Sequence, residues 1–156
     1  MIVIEMNNGK VIKLELDETA APKTVANFNK LVSEGFYDGL SFHRIIPGFM
    51  IQGGDPVGNG TGGSKENIVG EFASNGFNNP IKHVRGVISM ARAMDPNSAS
   101  SQFFIMHADA PHLDGNYAAF GHVVEGLEVV DEIANTPTDF RDKPTNPVII
   151  KRVYIA

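Results

Sequence analysis

Short apolar runs, separated by connections rich in glycine and proline, are the feature that most restricts what this chain can fold into. The runs are rich in β-branched and aromatic side chains, as is typical of β-strands. In the second run Ile12, Leu14 and Leu16 occupy alternate positions, which predicts a strand with one buried face. The runs predicted as strands are Ile2–Met6, Lys10–Leu16, Phe42–Ile46, Phe49–Gly53, Val87–Ala91, Phe103–Met106, Ala119–Val123 and Val148–Ile155.

Two segments have the period of an amphipathic helix instead. In the first, Pro22 suits the first helical turn and Gly35 ends the pattern. The second helix is shorter and lies near the end of the chain. The apolar residues at helical spacing are Val25, Phe28, Leu31 and Val32 in the first segment and Leu127, Val130, Ile133 and Ala134 in the second.

This pattern predicts a mainly β fold, a closed antiparallel barrel. Closure leaves two open ends, and two helices are enough to cover them. The pattern by itself also allows a two-sheet sandwich. Glycine-rich and polar residues fill the long connection from Pro56 to Gly86, and loops of this length are usually functional or compact.

Composition limits the possible functions. At 156 residues the chain fits a single domain over 1–156. The absence of cysteine excludes disulfides, thiolate metal sites and thiol nucleophiles. A net charge of −5 without a basic cluster disfavours nucleic-acid binding. No apolar run approaches the roughly 20 residues that span a bilayer, and residues 1–6 do not have the form of a signal peptide. We expect a cytoplasmic monomer without a membrane partner.

One arginine and one glutamine stand out from their apolar surroundings. Arg44 and Gln52 lie in segment 42–55, among large apolar residues bounded by glycines. Burying a guanidinium is unfavourable unless its donors are paired, so such a placement indicates a function. The alternative is a surface strand whose arginine extends its charged end into water.

Three blocks of sequence, in order along the chain, resemble one family. They are segment 42–55, segment 86–92 together with 100–105, and segment 113–121. In combination they are similar to the cyclophilins, the cyclosporin-binding peptidyl-prolyl isomerases, and the similarity runs from the first predicted strand to the last. The resemblance implies a closed eight-stranded antiparallel β-barrel with an α-helix capping each end. It also implies isomerisation of X-Pro bonds during protein folding, without metal, cofactor or covalent intermediate.

The resemblance further implies the site. Arg44 would donate to the nitrogen of the twisting amide, and Gln52 would orient Arg44 and contact the substrate backbone. The residues implied to bind substrate are Phe49, Met50, Ala91, Arg92, Gln102, Phe104, His112, Leu113 and Tyr117. Four of these, Phe49, Met50, Phe104 and Leu113, would hold the proline ring, although apolar residues of this kind are most often core. The implied partners are proline-containing peptides and unfolded or partly folded proteins.

Three positions depart from the best-known cyclophilins. His112 stands in place of a tryptophan, so we expect reduced affinity for cyclosporin-type ligands. Tyr117 stands where many members have histidine, and Arg92 where many have asparagine. The change at Arg92 is expected to affect side-chain contacts only, because the backbone of Ala91 and Arg92 is the part that pairs with substrate.

Other functions fit less well. Gly58-x-Gly60-x-x-Gly63 has the form of a dinucleotide fingerprint, but no helix pattern follows it, which favours a tight surface loop. The serines of segment 98–101 lack the Gly-x-Ser-x-Gly context of a hydrolase. His107-x-Asp109 and His112-x-Asp114 fall short of the three placed ligands of a catalytic zinc, which favours loop histidines. The main alternative function is a module that binds proline segments with little turnover.

Overall fold

The computed structural model describes all 156 residues, and its elements follow the predicted order. The two helices are α1 (Pro22–Ser33) and α2 (Leu127–Ala134). Single 3-10 turns occur at Ala73–Asn75 and Pro111–Leu113. The strands are β1 (Ile2–Met6), β2 (Val11–Leu16), β3 (Phe42–Ile46), β4 (Met50–Gly53), β5 (Val87–Met90), β6 (Phe103–Met106), β7 (Ala119–Glu125) and β8 (Ile150–Ile155).

All eight strands belong to one antiparallel sheet with the order β3-β4-β6-β5-β7-β2-β1-β8. A single sheet rules out the two-sheet sandwich that the sequence pattern allowed. The sheet curls until its two edge strands, β3 and β8, approach each other. Residues next to them then form an isolated bridge between Ser41 and Ile149.

The predicted closure of the barrel is wrong, because no ladder joins β3 to β8. The contact across the seam is short: the N–H of Phe42 donates to the carbonyl of Val148 at 3.0 Å, and that of Ile150 donates to the carbonyl of Leu40 at 2.8 Å. Further along β3, the N–H of Ile45 donates to the carbonyl of Asp142 at 2.8 Å, so a loop and not β8 occupies the outer edge of that strand.

Helix α1 begins where the sequence predicts, but its N-terminus is stabilised by a distant residue. Ala21 precedes the helix and offers no side-chain cap. The carboxylate of Glu71 instead accepts from the backbone N–H of Lys23 at 3.2 Å and of Thr24 at 2.6 Å, and from the Thr24 hydroxyl at 2.7 Å. A negative charge at this end also matches the helix dipole. This contact anchors the connection between β4 and β5 to α1.

Neighbouring residues of β4 and β6 belong to different apolar clusters, because side chains alternate across a strand. Ile51 and Phe103 pack inward, in the main core with both helices. Met50 and Phe104 pack on the opposite face of the sheet, in a second and smaller cluster. The outer face of these two strands therefore carries an apolar surface of its own.

Candidate active site

Arg44, Gln52 and Phe104 lie side by side on the outer face of three adjacent strands. Arg44 pairs with Gln52 between β3 and β4, and Gln52 pairs with Phe104 between β4 and β6. The register shifts between Phe42 and Arg44, which leaves His43 as the extra residue of a bulge. The bulge buries His43 and turns Arg44 outward. Burial lowers the pKa of His43. Arg44 is therefore an exposed cation and not one enclosed by its apolar neighbours.

A cavity of about 150 Å³ opens beside these residues. It is lined by Arg44, Phe49, Met50, Gln52, Ala91, Arg92, Phe104, Leu113 and Tyr117. Nine of the residues expected at the site thus share one pocket. The other two adjoin it: Gln102 is bonded to Gln52, and the ring centroid of His112 lies 5.9 Å from that of Phe49.

A chain of side-chain hydrogen bonds leads from a loop to Arg44. The Arg44 guanidinium donates to Oε1 of Gln52 at 3.2 Å, and Nε2 of Gln52 donates to Oε1 of Gln102 at 2.9 Å. Nε2 of Gln102 donates to the carbonyls of Gly60 at 3.1 Å and Gly62 at 2.8 Å. The glycine-rich loop, residues 58–63, thereby supports the polar side of the pocket.

The carboxylate of Asp55 fixes the backbone of the glycine-rich loop. Its buried carboxylate accepts from the backbone N–H of Val57 at 2.8 Å, Asn59 at 3.1 Å and Gly60 at 2.6 Å. Burial acts to raise the pKa of Asp55, but the backbone donors, Val57 and Gly60 among them, outweigh burial and the pKa is lowered. No helix follows the loop, as the sequence indicated. Its glycines support side chains of the site.

A second cavity, of about 230 Å³, adjoins the first and has a more polar lining. Gln52, Ala91 and Arg92 line both cavities. The N–H of Ala91 donates to the carbonyl of Gln102 at 3.0 Å, while the Ala91 carbonyl and the Arg92 amide have no partner within the protein. The backbone at Ala91 and Arg92, which lines both cavities, therefore has a carbonyl and an N–H free for a bound ligand.

The side chain of Arg92 is held between two aromatic rings. Its guanidinium carbon lies 4.9 Å from the centre of the Phe72 ring and 4.8 Å from that of Tyr117. The same group donates to the carbonyls of Asn116 at 2.8 Å and Ala93 at 2.9 Å. Arg92 thus fixes Tyr117 on the pocket wall.

Beneath the pocket, buried His83 contacts half-buried Asp114, a pairing that the sequence pattern did not predict. His83 Nδ1 lies 3.1 Å from Asp114 Oδ1, and its Nε2 lies 2.9 Å from the Ser89 hydroxyl. A carboxylate only accepts, so Nδ1 carries the proton and Nε2 accepts from Ser89. The His83 ring stacks on Phe104, with centroids 6.1 Å apart. Burial lowers the pKa of His83, although Asp114 acts to raise it.

The alternative sites suggested by histidines and serines do not assemble. His107 Nε2 contacts Asp131 at 3.1 Å, whereas the His112 ring packs at a tilt against Phe49, and no three His, Asp or Glu side chains converge. The Ser101 hydroxyl donates to the carbonyl of Gly54 at 2.7 Å rather than to a histidine.

Neither helix has the length and apolar character that a membrane-spanning helix requires.

Comparisons with known proteins show which family the chain belongs to. The family model described as "Cyclophilin type peptidyl-prolyl cis-trans isomerase/CLD" matches residues 1–155. Peptidyl-prolyl cis-trans isomerase ppi1 of Schizosaccharomyces pombe is 45% identical over 99% of this chain and 98% of its own length. Peptidyl-prolyl cis-trans isomerase B of Bacillus subtilis is 49% identical over 83% of this chain and 87% of its own.

One relative is much longer than this chain, and a solved structure has nearly the same fold over its whole length. The chain spans 26% of the peptidyl-prolyl cis-trans isomerase-like 2 of Gibberella zeae, with 44% identity. A crystal structure of a Cryptosporidium parvum cyclophilin-type isomerase, determined in the presence of the dipeptide Ala-Pro, has a TM-score of 0.91 and 38% identity. It covers 99% of this chain and 98% of its own. The chain therefore belongs to the cyclophilin-type peptidyl-prolyl cis-trans isomerases, and its activity is the cis-trans isomerisation of X-Pro peptide bonds.

Proposed function

We propose that Arg44 is the catalytic donor and that Gln52 orients it. Rotation about an X-Pro bond meets a barrier of about 18–20 kcal/mol from amide resonance, whereas the two end states differ by only about 0.5–1 kcal/mol. As the amide twists, its nitrogen becomes pyramidal and regains its lone pair. A donor aimed at that nitrogen binds the transition state better than either planar form, which lowers the barrier.

The position of the guanidinium is the observation that carries this proposal. Arg44 lies at the rim of the pocket and uses one N–H on Gln52. A guanidinium has five N–H donors in a rigid fork, so further donors are free for substrate. Gln52 holds the fork through one acceptor, while its own amide is held by Gln102.

The apolar part of the pocket is proposed to hold the proline ring. Phe49, Met50, Phe104 and Leu113 supply rigid apolar walls, and Tyr117 closes one side. The ring is apolar and has little conformational freedom to lose, so it suits a small preformed pocket. The unpaired carbonyl of Ala91 and amide of Arg92 would pair with the backbone of the bound segment.

We further propose that the chain acts as a single domain over 1–156, on proline-containing peptides and on unfolded or partly folded proteins. The mechanism needs only a donor and an apolar pocket, so it calls for neither metal nor cofactor. The monomeric state, the cytoplasmic location and the absence of nucleic-acid partners stay predictions. His112, exposed beside Phe49, would contact a cyclosporin-type ligand with a smaller ring than tryptophan.

The test is the cis-to-trans relaxation of a short X-Pro peptide, with and without a chelator. We expect acceleration by the protein that the chelator does not change. Loss of acceleration on chelation would contradict the proposed mechanism, as would an Arg44→Ala variant with wild-type turnover.

A further inference from the structure

The turn between β3 and β4 carries one wall of the proline pocket. Pro47 and Gly48 form its tip, and the N–H of Phe49 donates to the carbonyl of Ile46 at 3.0 Å. Gly48 has a φ of 78°, as the third residue of a type II turn requires. The ring of Phe49 then lines the pocket. Any group that fixes this turn therefore also fixes Phe49.

His107 holds the turn at two points, although it does not line the pocket. Its ring Nδ1 lies 2.8 Å from the backbone N–H of Gly48. Its own backbone N–H donates to the carbonyl of Phe49 at 2.9 Å. The ring contact depends on the side chain of His107, whereas the backbone contact does not. The two contributions are therefore separable by substitution.

A contact of the second ring nitrogen, Nε2, fixes the orientation of the His107 ring. Gly48 N–H is a donor, so Nδ1 must accept and the ring proton resides on Nε2. Nε2 lies 3.1 Å from the carboxylate of Asp131 on α2. Arg85 holds that carboxylate with two hydrogen bonds of 2.6 and 2.9 Å. Arg85 also donates to the carbonyl of His107 at 3.2 Å.

We propose that His107 is a positioning residue for X-Pro binding: its Nδ1 fixes the turn at Pro47 and Gly48, and thereby the Phe49 wall of the proline pocket. Asp131 and Arg85 set the tautomer and the orientation of the ring that does so. The inference rests on the proposed role of Phe49 in holding proline. It assigns a binding function to a histidine that the sequence analysis interpreted as a loop residue.

Two substitutions separate the two ring nitrogens. In His107→Asn the side-chain oxygen is attached to Cγ, like Nδ1, so it retains an acceptor for Gly48 N–H. In His107→Gln the amide is one atom further out, like Nε2, so it retains a donor for Asp131 but loses the acceptor. His107→Leu loses both. The control is His122→Leu, at an exposed residue of β7.

Each variant is titrated with a short X-Pro peptide by NMR, which gives the dissociation constant and the exchange rate of the bound peptide. We expect His107→Gln and His107→Leu to weaken binding about three- to tenfold, the range that one hydrogen bond of about 0.5–1.5 kcal/mol allows. The exchange rate of bound peptide stays within a factor of two. His107→Asn and His122→Leu bind as the wild type does. The Gly48 amide exchanges with solvent faster in His107→Gln than in His107→Asn.

The outcomes distinguish this inference from the function on which it rests. A wild-type protein that does not bind the peptide overturns both. If the wild type binds and the Asn and Gln variants weaken binding equally, the Nδ1 contact does not position Phe49 and the inference is wrong. Faster exchange at Gly48 with unchanged peptide affinity also overturns it, because the turn would then be independent of binding.

Discussion

The side-chain amide of Gln52 donates to the side-chain oxygen of Gln102 at 2.9 Å, and this bond sets which end of Gln52 faces Arg44. Gln102 must present its NH₂ to the carbonyls of Gly60 and Gly62, since carbonyls only accept. Its oxygen therefore faces Gln52, which turns the Gln52 oxygen toward Arg44. The loop carbonyls thus determine that the guanidinium meets an acceptor.

Replacing Arg44 is expected to reduce catalysis while leaving the fold intact, because the side chain is exposed. One charge-assisted hydrogen bond made mainly in the transition state is worth about 2–4 kcal/mol, or roughly 30- to 1000-fold in rate. Arg44→Lys should restore little, since a single ammonium does not reproduce the fork. Turnover on an X-Pro peptide and circular dichroism are compared with Arg141→Ala, an exposed arginine of the 135–149 loop. Near-normal turnover of Arg44→Ala would remove Arg44 from the mechanism.

Gln102→Glu tests the direction of the hydrogen-bond chain. The substitution keeps the shape of the side chain but places a carboxylate against two carbonyl oxygens, so the glycine-rich loop and Gln52 lose their order. We expect kcat to fall by at least about three- to tenfold, the effect of one hydrogen bond, because the bonds to both Gly60 and Gly62 are lost. Asn27 also donates to a backbone carbonyl, that of Ser100 at 2.8 Å, so Asn27→Asp is a matched control. Equal effects in the two variants would contradict a specific role for Gln102.

Phe104→Ala is expected to weaken both peptide binding and the fold. The ring is 5% exposed, more buried than a groove residue would be, and it packs in the outer apolar cluster. Phe→Ala at such a site costs about 3–5 kcal/mol of stability, and we expect a loss of about 3 kcal/mol because the pocket beside the ring already exposes one edge to water. Thermal unfolding and peptide affinity are measured together. Unchanged affinity with a large stability loss would make Phe104 a core residue only.

Stability is expected to fall on mild acidification because of His83. Burial lowers its pKa in the folded protein, while the unfolded chain takes up the proton near pH 6.5. The free energy of unfolding therefore decreases as pH falls from about 6.5 toward the lower folded pKa. Buried His43 acts in the same direction. Lowered carboxylate pKa values, as at Asp114, contribute only at more acidic pH, below about 4.

The test compares the thermal unfolding midpoints of the wild type and of two histidine variants at pH 7.5 and pH 5.5. His83→Gln should be less stable at pH 7.5, yet should lose less on acidification than the wild type. His122→Gln, on the exposed face of β7, should retain the wild-type pH dependence. An unchanged pH dependence in His83→Gln would show that another group controls acid stability.

Cyclosporin is expected to bind more weakly than to cyclophilins with tryptophan at the position of His112, and His112→Trp should strengthen binding. His112 is exposed and in contact with Phe49, where an indole would add apolar area and a fixed N–H donor. Isomerisation of a short peptide should change much less, since His112 lies outside the pocket. The affinity for cyclosporin and the turnover on a short peptide are measured for the wild type and for His112→Trp. Equal drug affinities would contradict the assignment of this position.

The sequence predicted local structure well and long-range contacts poorly. Local patterns predicted the start of α1 at Pro22 and the positions of all eight strands along the chain. The capping of α1 by Glu71 and the support of Phe104 by His83 join residues far apart, and no local pattern marks them.

The pocket could not be recognised from periodicity either. Met50 and Ile51, like Phe103 and Phe104, are adjacent apolar residues that point to opposite faces of the sheet. A strand that is apolar on both faces does not reveal which face binds a ligand. Only the resemblance of the surrounding blocks separated Met50 and Phe104 from their core neighbours. The local pattern could not predict the open seam between β3 and β8 either, since it depends on the distant loop that bonds to Ile45.

The pairing of β1 with β8 has a consequence for synthesis on the ribosome. Residues 2–6 are translated well before residues 150–155, so one side of β1 receives its partner only late in translation. Until then the apolar β1 keeps an open edge, the kind of surface that pairs with another chain. Contacts of such long sequence separation also slow folding. A nascent chain interrupted before Ile150 is therefore expected to aggregate, so translation must reach β8 before the N-terminal strand is protected.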